Sequence, residues 1–356
     1  MAPLAMALAL LLPGAQEPTD APPLLPHRIG LVEGSCVSVP QFGVNEQATE
    51  WSDTVRRPGV LFWLLGVRVI AVGLGPWTFT VTNPNGAVVA QLASTDVTVP
   101  FEWWSPEVTN GGRLRLTGDL RGVQLAISQC VQGSSEPEVK STIPPDDAKD
   151  ISLYREERLY TWGKSVARLK VLDALGYYTC TAFLVAPNRL LTNEHCTSKS
   201  WKTMTAEFNA ETGNLGQIDA QPVVAVIRTD PAIDLAVLRL GRPVTHPVVR
   251  IAATDVQDAT SVQLVVVHHP SGKDKHASRD DCSTAVGGAT AAAQFPHSCD
   301  TSKGSSGSPV FAAADGTVVG LHRKGFRQGT PGGRNQAVRA SEIVKFLNSI
   351  PAEGAP

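Results

Sequence analysis

A serine bracketed by glycines, Gly304-Ser-Ser-Gly-Ser-Pro-Val310, stands between a turn and the strand-like run Pro309-Val-Phe-Ala-Ala313. A hydroxyl that attacks a carbonyl needs backbone N–H groups aimed at the oxyanion it creates, and glycine just before it lets the chain fold tightly enough to present them. Ser306 is therefore the candidate nucleophile. Alone, the heptapeptide would read as a Gly/Ser-rich hairpin turn. Upstream, however, Cys180-Thr-Ala-Phe-Leu-Val-Ala-Pro-Asn-Arg-Leu-Leu-Thr-Asn-Glu-His195-Cys196 sets two apolar strand-like runs around an Ala-Pro-Asn turn and ends in a histidine next to a cysteine. A hairpin there can bring Cys180 and Cys196 together and anchor His195, a candidate general base. The third member should be a carboxylate that holds the imidazole tautomer. Asp234, just ahead of the apolar run Leu235 to Leu240, fits; Asp230, before a proline, reads as a turn residue and is the alternative.

The elements that must position these groups are strands. Short apolar runs separated by Gly, Pro and Asn recur along the chain, and Gly 31 with Pro 26 calls for frequent turns. Trp77 to Thr82, Ala87 to Leu92, Val97 to Phe101, Arg113 to Thr117 and Val123 to Ser128 read as a small antiparallel β-sandwich over residues 30–132, with Cys36 and Cys130 able to staple its first and last strands. The apolar run Val60 to Leu74 is too short for a membrane span and carries Arg68 at its centre, so two adjacent buried strands are expected there. Residues 133–150 are polar and Pro-rich and read as a linker. Residues 151–350 are again strand-like until Ser341 to Ile350, where helical spacing follows a Ser341 N-cap. Residues 1–15 have the apolar stretch and small-residue exit of a signal peptide, and 16–29 form a Pro-rich leader, so a secreted protein is expected.

Composition narrows the partners. The 356 residues carry 31 Lys plus Arg against 33 Asp plus Glu, a net charge of −2, which gives no electrostatic reason to expect nucleic acid. Six cysteines without a CxxC pair favour disulfides over a zinc site. Cys282 and Cys299, left after the other pairings, flank the approach to Ser306 and are expected to bridge. Two mixed sets, Asp281, Cys282, Cys299 and Asp300 with His297 or His276, and the trio His268, His269 and His276, are weak metal candidates; no metal or cofactor is expected.

The order His195, Asp234, Ser306, the cysteine pair at the histidine and the Gly-x-Ser-Gly-x-Pro turn resemble the chymotrypsin-like serine endopeptidases. Within them, Ser305-Ser-Gly-Ser-Pro-Val310, Thr192-Asn-Glu-His-Cys196, His268-His-Pro-Ser-Gly272 and Val319-Gly-Leu-His322 are most similar to the bacterial glutamyl and lysyl branch. The resemblance covers about residues 160–350. It implies an all-β fold of two six-stranded Greek-key barrels, with His195 and Asp234 in the first, Ser306 in the second, and the N–H groups of Gly304 and Ser306 as the oxyanion hole. It also implies a monomeric enzyme that cuts polypeptides. One departure concerns activation: the digestive members carry an Asp before the nucleophile, paired with a freed N-terminal amine, whereas this chain has Ser305.

For the P1 pocket the matched positions disagree. Asp300 stands where the trypsin-like pattern selects Lys or Arg, though Asp also occurs there in some glutamyl members and so does not discriminate, whereas Thr301 and His322 match the residues that bind an acidic P1 side chain, and Arg323, Lys324 and Arg327 would add positive potential nearby. Acidic P1 is the preferred expectation and basic P1 its competitor. The reading from another class is a catalytically silent binding protein of the same fold, in which the N-terminal β-domain does the work.

Overall fold

The computed structural model describes residues 27–34, 36–133, 140–174, 176–197, 201–213, 218–256, 260–284, 292–326 and 332–351. The expected signal peptide, most of the leader and Arg327 lie outside these. In Trp77–Thr82 the buried positions are Trp77, Phe79 and Val81, and in Gly112–Gly118 they are Gly112, Leu114 and Leu116, the period of two that turns one face of a strand to a core. These strands join Glu50–Val55 and Val88–Ala93 in a four-stranded antiparallel sheet. It packs on a second layer containing Phe62–Val72, Val123–Gly133 and Phe101–Trp104, around a core that includes Trp63, Val67, Phe79, Leu116 and Ile127. Cys36 and Cys130 are bonded, Cα atoms 5.9 Å apart.

The run expected to form two strands is one, Phe62–Val72. It has neighbours on both edges, and two register shifts, at Gly66/Val67 and Val69/Ala71, bend it in place of a turn. Its first half is buried on both faces, which erases the alternation that would have marked one strand in the sequence.

Val166–Leu172, Thr203–Phe208, Asp219–Asp230, Leu235–Leu240, Arg189–Thr192 and Tyr177–Ala186 follow one another around a closed six-stranded barrel, the last pairing back onto the first. A second sheet runs Lys149–Asp150, His276–Ser278, Leu264–His268, Pro309–Ala312, Val318–Lys324, Asn335–Arg339, Gln294–His297, and single bridges Thr284 to His297 and Gln263 to Ser283 lead from its last strand back to the start of Leu264–His268. The fold is the chymotrypsin-like one, with Ala340–Asn348 as its C-terminal helix. Phe183, Leu191 and Val237 of the first barrel meet Val267, Phe311 and Leu321 of the second in one apolar cluster, which sets the barrels side by side.

Two expectations about boundaries change. Residues 140–150 of the segment expected to be a linker pair with the second half of the chain: Lys140–Ser141 with Thr301–Ser302 in a two-stranded sheet of their own, and Lys149–Asp150 with His276–Ala277 at the edge of the second sheet. The strand His27–Glu33 lies between Val123–Gly133 of the sandwich and Tyr177–Ala186 of the first barrel, so one sheet runs through both domains. Leu64, Val131, Leu172 and Tyr177 form a small core at this junction, with Phe62 edge-on to Tyr177.

Candidate active site

His195 follows the strand Arg189–Thr192 and sits in the short turn Glu194–Cys196, tied to the neighbouring strand by the Cys180–Cys196 disulfide. Asp234 reaches it from the start of Leu235–Leu240, in the left-handed region (φ 59°) that Asp tolerates better than most residues. Asn193 Nδ2 donates to the Asp234 carbonyl at 2.8 Å and steadies that turn. Asp234 Oδ1 then accepts the His195 backbone N–H at 3.0 Å, and Oδ2 meets His195 Nδ1 at 2.8 Å. A carboxylate only accepts, so Nδ1 carries the ring proton and Nε2 presents its lone pair. Nε2 is buried and has no hydrogen-bond partner among the described residues. Asp230, the alternative, accepts from Ala232 N–H within its own turn.

Ser306 reaches this place from the second barrel. Its carbonyl accepts the Thr181 N–H at 2.9 Å and lies 3.8 Å from Cys196 Sγ, so the turn of this candidate nucleophile is fastened to the two segments that carry the disulfide beside His195. Gly307 has φ +85°, and a Cβ there would fall 2.1 Å from the Thr181 carbonyl oxygen; only glycine lets the turn come this close. Two hydrogen bonds set the peptide planes around Ser306, one from Ser271 outside the turn and one from Ser308 within it. The Lys303 carbonyl accepts Ser271 N–H at 2.6 Å, and the Ser305 carbonyl accepts Ser308 N–H at 3.1 Å. In a planar trans peptide the N–H points opposite the C=O, so these bonds direct the N–H groups of Gly304 and Ser306 the other way. Among the described residues neither N–H has an acceptor.

His322 lies on Val318–Lys324, where Gly307 N–H donates to its carbonyl at 3.0 Å. Its Nδ1 is 3.1 Å from His297 Nε2, the rings edge-to-face with centroids 5.3 Å apart. Burial pushes both imidazoles down, His297 to about 3 and His322 well below its ordinary value, with His297 and His195 as further causes for the latter. Thr301 Oγ1 is buried without a partner among the described residues.

Asp300 is differently employed. Its Oδ1 accepts Ile143 N–H at 2.7 Å and its Oδ2 Asp147 N–H at 2.8 Å, so both carboxylate oxygens hold the segment leading into the barrel. Arg323, expected to lend potential to the pocket, instead donates from Nε to Asp234 Oδ2 at 3.3 Å.

The metal candidates do not converge. Cys282 and Cys299 are bonded to each other. His268, His269 and His276 turn their Nδ1 atoms to the Ser305 hydroxyl and to the carbonyls of Lys273 and Asp274. Among the described residues the one cluster with metal-like spacing is Cys180, His195 and Cys196, whose sulfurs are in the disulfide. No helix of the described residues is long and apolar enough to cross a membrane.

Three features escape a reading of the sequence: the backing of His322 by His297, the reach of Arg323 to Asp234, and the contact of His268 with Ser305. The signal for His297 was only its type, since the strand that joins it to His322, Asn335–Arg339, lies far along the chain.

Residues 180–321 match the family model of the trypsin-like peptidase domain. The secreted RxLR effector protein 73 of Plasmopara viticola is 27% identical over 232 residues, 58% of this chain and 56% of that protein, so the chain spans little more than half the length of this curated relative. Among solved structures, the active form of the Rv3671c protease from M. tuberculosis aligns at TM-score 0.47 and 20% identity, over 63% of this chain and 94% of that one. The serine endoprotease from Yersinia pestis aligns at TM-score 0.43 and 14% identity, over 53% and 63%. The stretch matched by the family model contains His195, Asp234 and Ser306.

Proposed function

We propose that this chain is an exported serine endopeptidase that cleaves polypeptides through an acyl-enzyme on Ser306 and prefers an acidic residue at P1. One observation carries the reading: a histidine oriented by Asp234, its Nε2 unpartnered, stands beside a serine turn whose two flanking N–H groups have no acceptor among the described residues. In the proposed reaction Nε2 takes the Ser306 proton as Oγ adds to the scissile carbonyl carbon. The oxyanion is held by the N–H groups of Gly304 and Ser306, and Asp234 stabilises the imidazolium. His195 returns the proton to the leaving amine, the C–N bond breaks, and water repeats the sequence to release the acyl group. The three disulfides support export, because such bonds persist in oxidising compartments.

For P1, both Asp300 oxygens are spent on backbone N–H groups, which argues against a basic side chain there. The His322–His297 contact favours an acidic one. If His297 Nε2–H donates to His322 Nδ1, the proton of His322 resides on Nε2, a neutral donor for a carboxylate, and the buried Nδ1 of His297 is left as an unused acceptor rather than a stranded N–H.

The test is a fluorophosphonate probe followed by cleavage mapping of a denatured protein mixture. Covalent labelling lost in Ser306→Ala, and cuts after Glu or Asp, are expected. A chain that neither labels nor cuts overturns the enzyme reading; cuts after Lys or Arg overturn the P1 preference alone. His322→Leu should lower kcat/KM on acidic P1 substrates by about 100-fold or more, as for a site that loses its hydrogen bond to a buried charge.

A further inference from the structure

The residue before the nucleophile is the feature the proposed mechanism does not use. Ser305 is fully buried, and its hydroxyl has two partners: Oγ accepts Ser302 N–H at 3.1 Å and lies 2.7 Å from His268 Nδ1. On the far side of the ring, His268 Nε2 is 3.3 Å from Ser278 Oγ, which is 2.8 Å from the Asp300 carbonyl oxygen. Every proton in this series has one place to go. A carbonyl accepts, so Ser278 gives its proton to Asp300 and must itself accept from His268 Nε2–H. That leaves Nδ1 as an acceptor for the Ser305 O–H, whose oxygen is already taking the Ser302 N–H. The series begins at Ser302 and ends at Asp300, both in the segment that leads into the nucleophile turn.

The neighbouring backbone grips the same turn. His269 N–H donates to Thr181 Oγ1 at 3.0 Å, and that hydroxyl donates to the Gly304 carbonyl at 2.9 Å. Ser271 N–H holds the Lys303 carbonyl. A Cβ at Gly304 would lie 2.8 Å from the His269 carbonyl oxygen, so the turn and the 268–271 segment are in direct contact.

We propose that His268 is a positioning residue which, through Ser305, locks the two oxyanion donors Gly304 and Ser306 in their productive orientation without any charged group. The proposal rests on the endopeptidase reading. The lock is neutral, made of hydrogen bonds among two hydroxyls, a backbone N–H, a carbonyl and one imidazole. His268 packs against strand His276–Ser278, and the titratable groups that face it are His276, His322 and Asp146. Burial holds its imidazole well below the ordinary value, which keeps the ring neutral as the series requires.

The experiment uses the full chain and a peptide substrate that the wild type cleaves. Ser305→Ala and His268→Leu should each lower kcat by about 100-fold, in the range known for loss of an oxyanion donor, with KM within about twofold and fluorophosphonate labelling slowed by the same factor. The double variant should be no slower than either single one, because both remove one lock. His268→Asn, whose side-chain oxygen can stand where Nδ1 stands, should recover at least about tenfold relative to His268→Leu. Should His268→Leu fail to fold, Ser305→Ala and its combination with His268→Asn decide. A Ser305→Ala chain that melts as the wild type does and keeps its kcat, a loss confined to KM, or effects that multiply in the double variant would each overturn the proposal. A wild-type chain that takes up no fluorophosphonate overturns the endopeptidase reading itself, whereas a labelled wild type with an equally reactive Ser305→Ala overturns the lock alone.

Discussion

Asp300 and Asp147 show how a single carboxyl can be diverted from the role its position suggests. Asp300 lies six positions before Ser306, yet its oxygens face the 143–147 segment rather than open space. Asp147, buried beside it, has its carboxyl pushed up to about 8, by burial first and by Asp300 second. The folded protein therefore holds a proton that the unfolded chain releases near pH 4, so between about pH 4 and 8 the native state binds more protons and loses stability as pH rises. Asp147→Asn removes this liability. It should raise the melting temperature by about 2–4 °C at pH 7.5 and converge with the wild type near pH 4; equal melting at pH 7.5 would show that the group is ionised at no cost. What the sequence disclosed at this scale was the residue types able to do chemistry. The partner of each side chain was hidden wherever the contact crossed strands far apart in the chain, as for Arg323 with Asp234.

Among the elements, the C-terminal helix shows the same division. Its apolar spacing was legible, and Ile343, Phe346 and Ile350 are buried as that spacing requires. Its cap was not. The helix begins at Ala340, one residue before the expected cap, and Ser341 N–H and Oγ–H both donate to Asp255, at 2.9 and 2.7 Å. A carboxylate from a distant loop thus satisfies the first turn and faces the positive end of the helix dipole. Asp255→Ala should destabilise by about 1 kcal/mol, read as a lower melting temperature with activity unchanged, and a shift no larger than that of an exposed Asp→Ala control would contradict the assignment. Residues 140–150 carry no strand signal in the sequence for a related reason. Their two strands have two residues each, too few for any periodicity, and exist because Thr301–Ser302 and His276–Ala277 offer them free edges.

At the scale of the molecule, the question raised by the two-domain reading is whether the N-terminal β-domain can leave. Strand His27–Glu33 is hydrogen-bonded into both domains, and Lys170 of the first barrel meets Glu107 of the sandwich at 2.6 Å. Removal would uncover Leu172 and Tyr177 and a bare strand edge, a liability in water. A single nick between residues 133 and 140 should therefore leave both fragments co-eluting in gel filtration, even at 1 M salt where exposed ion pairs are screened. Fragments that separate there would mark the domain as detachable. The amino-acid sequence by itself determined the chemistry available: a glycine-bracketed serine, a histidine beside a cysteine, an aspartate before a strand, and cysteines that pair as 36–130, 180–196 and 282–299. The serine, histidine and aspartate were legible because each is marked by neighbours a few residues away, whereas pairing Cys36 with Cys130, 94 positions apart, rested on their places at the two ends of one expected domain. Only the tertiary structure decided that Asp300 holds a segment, that His297 backs His322, that Arg323 meets Asp234, and that Ser305 is fastened by His268. Those contacts depend on strand register across two barrels, and register is set by the packing of the whole core rather than by any local run of residues.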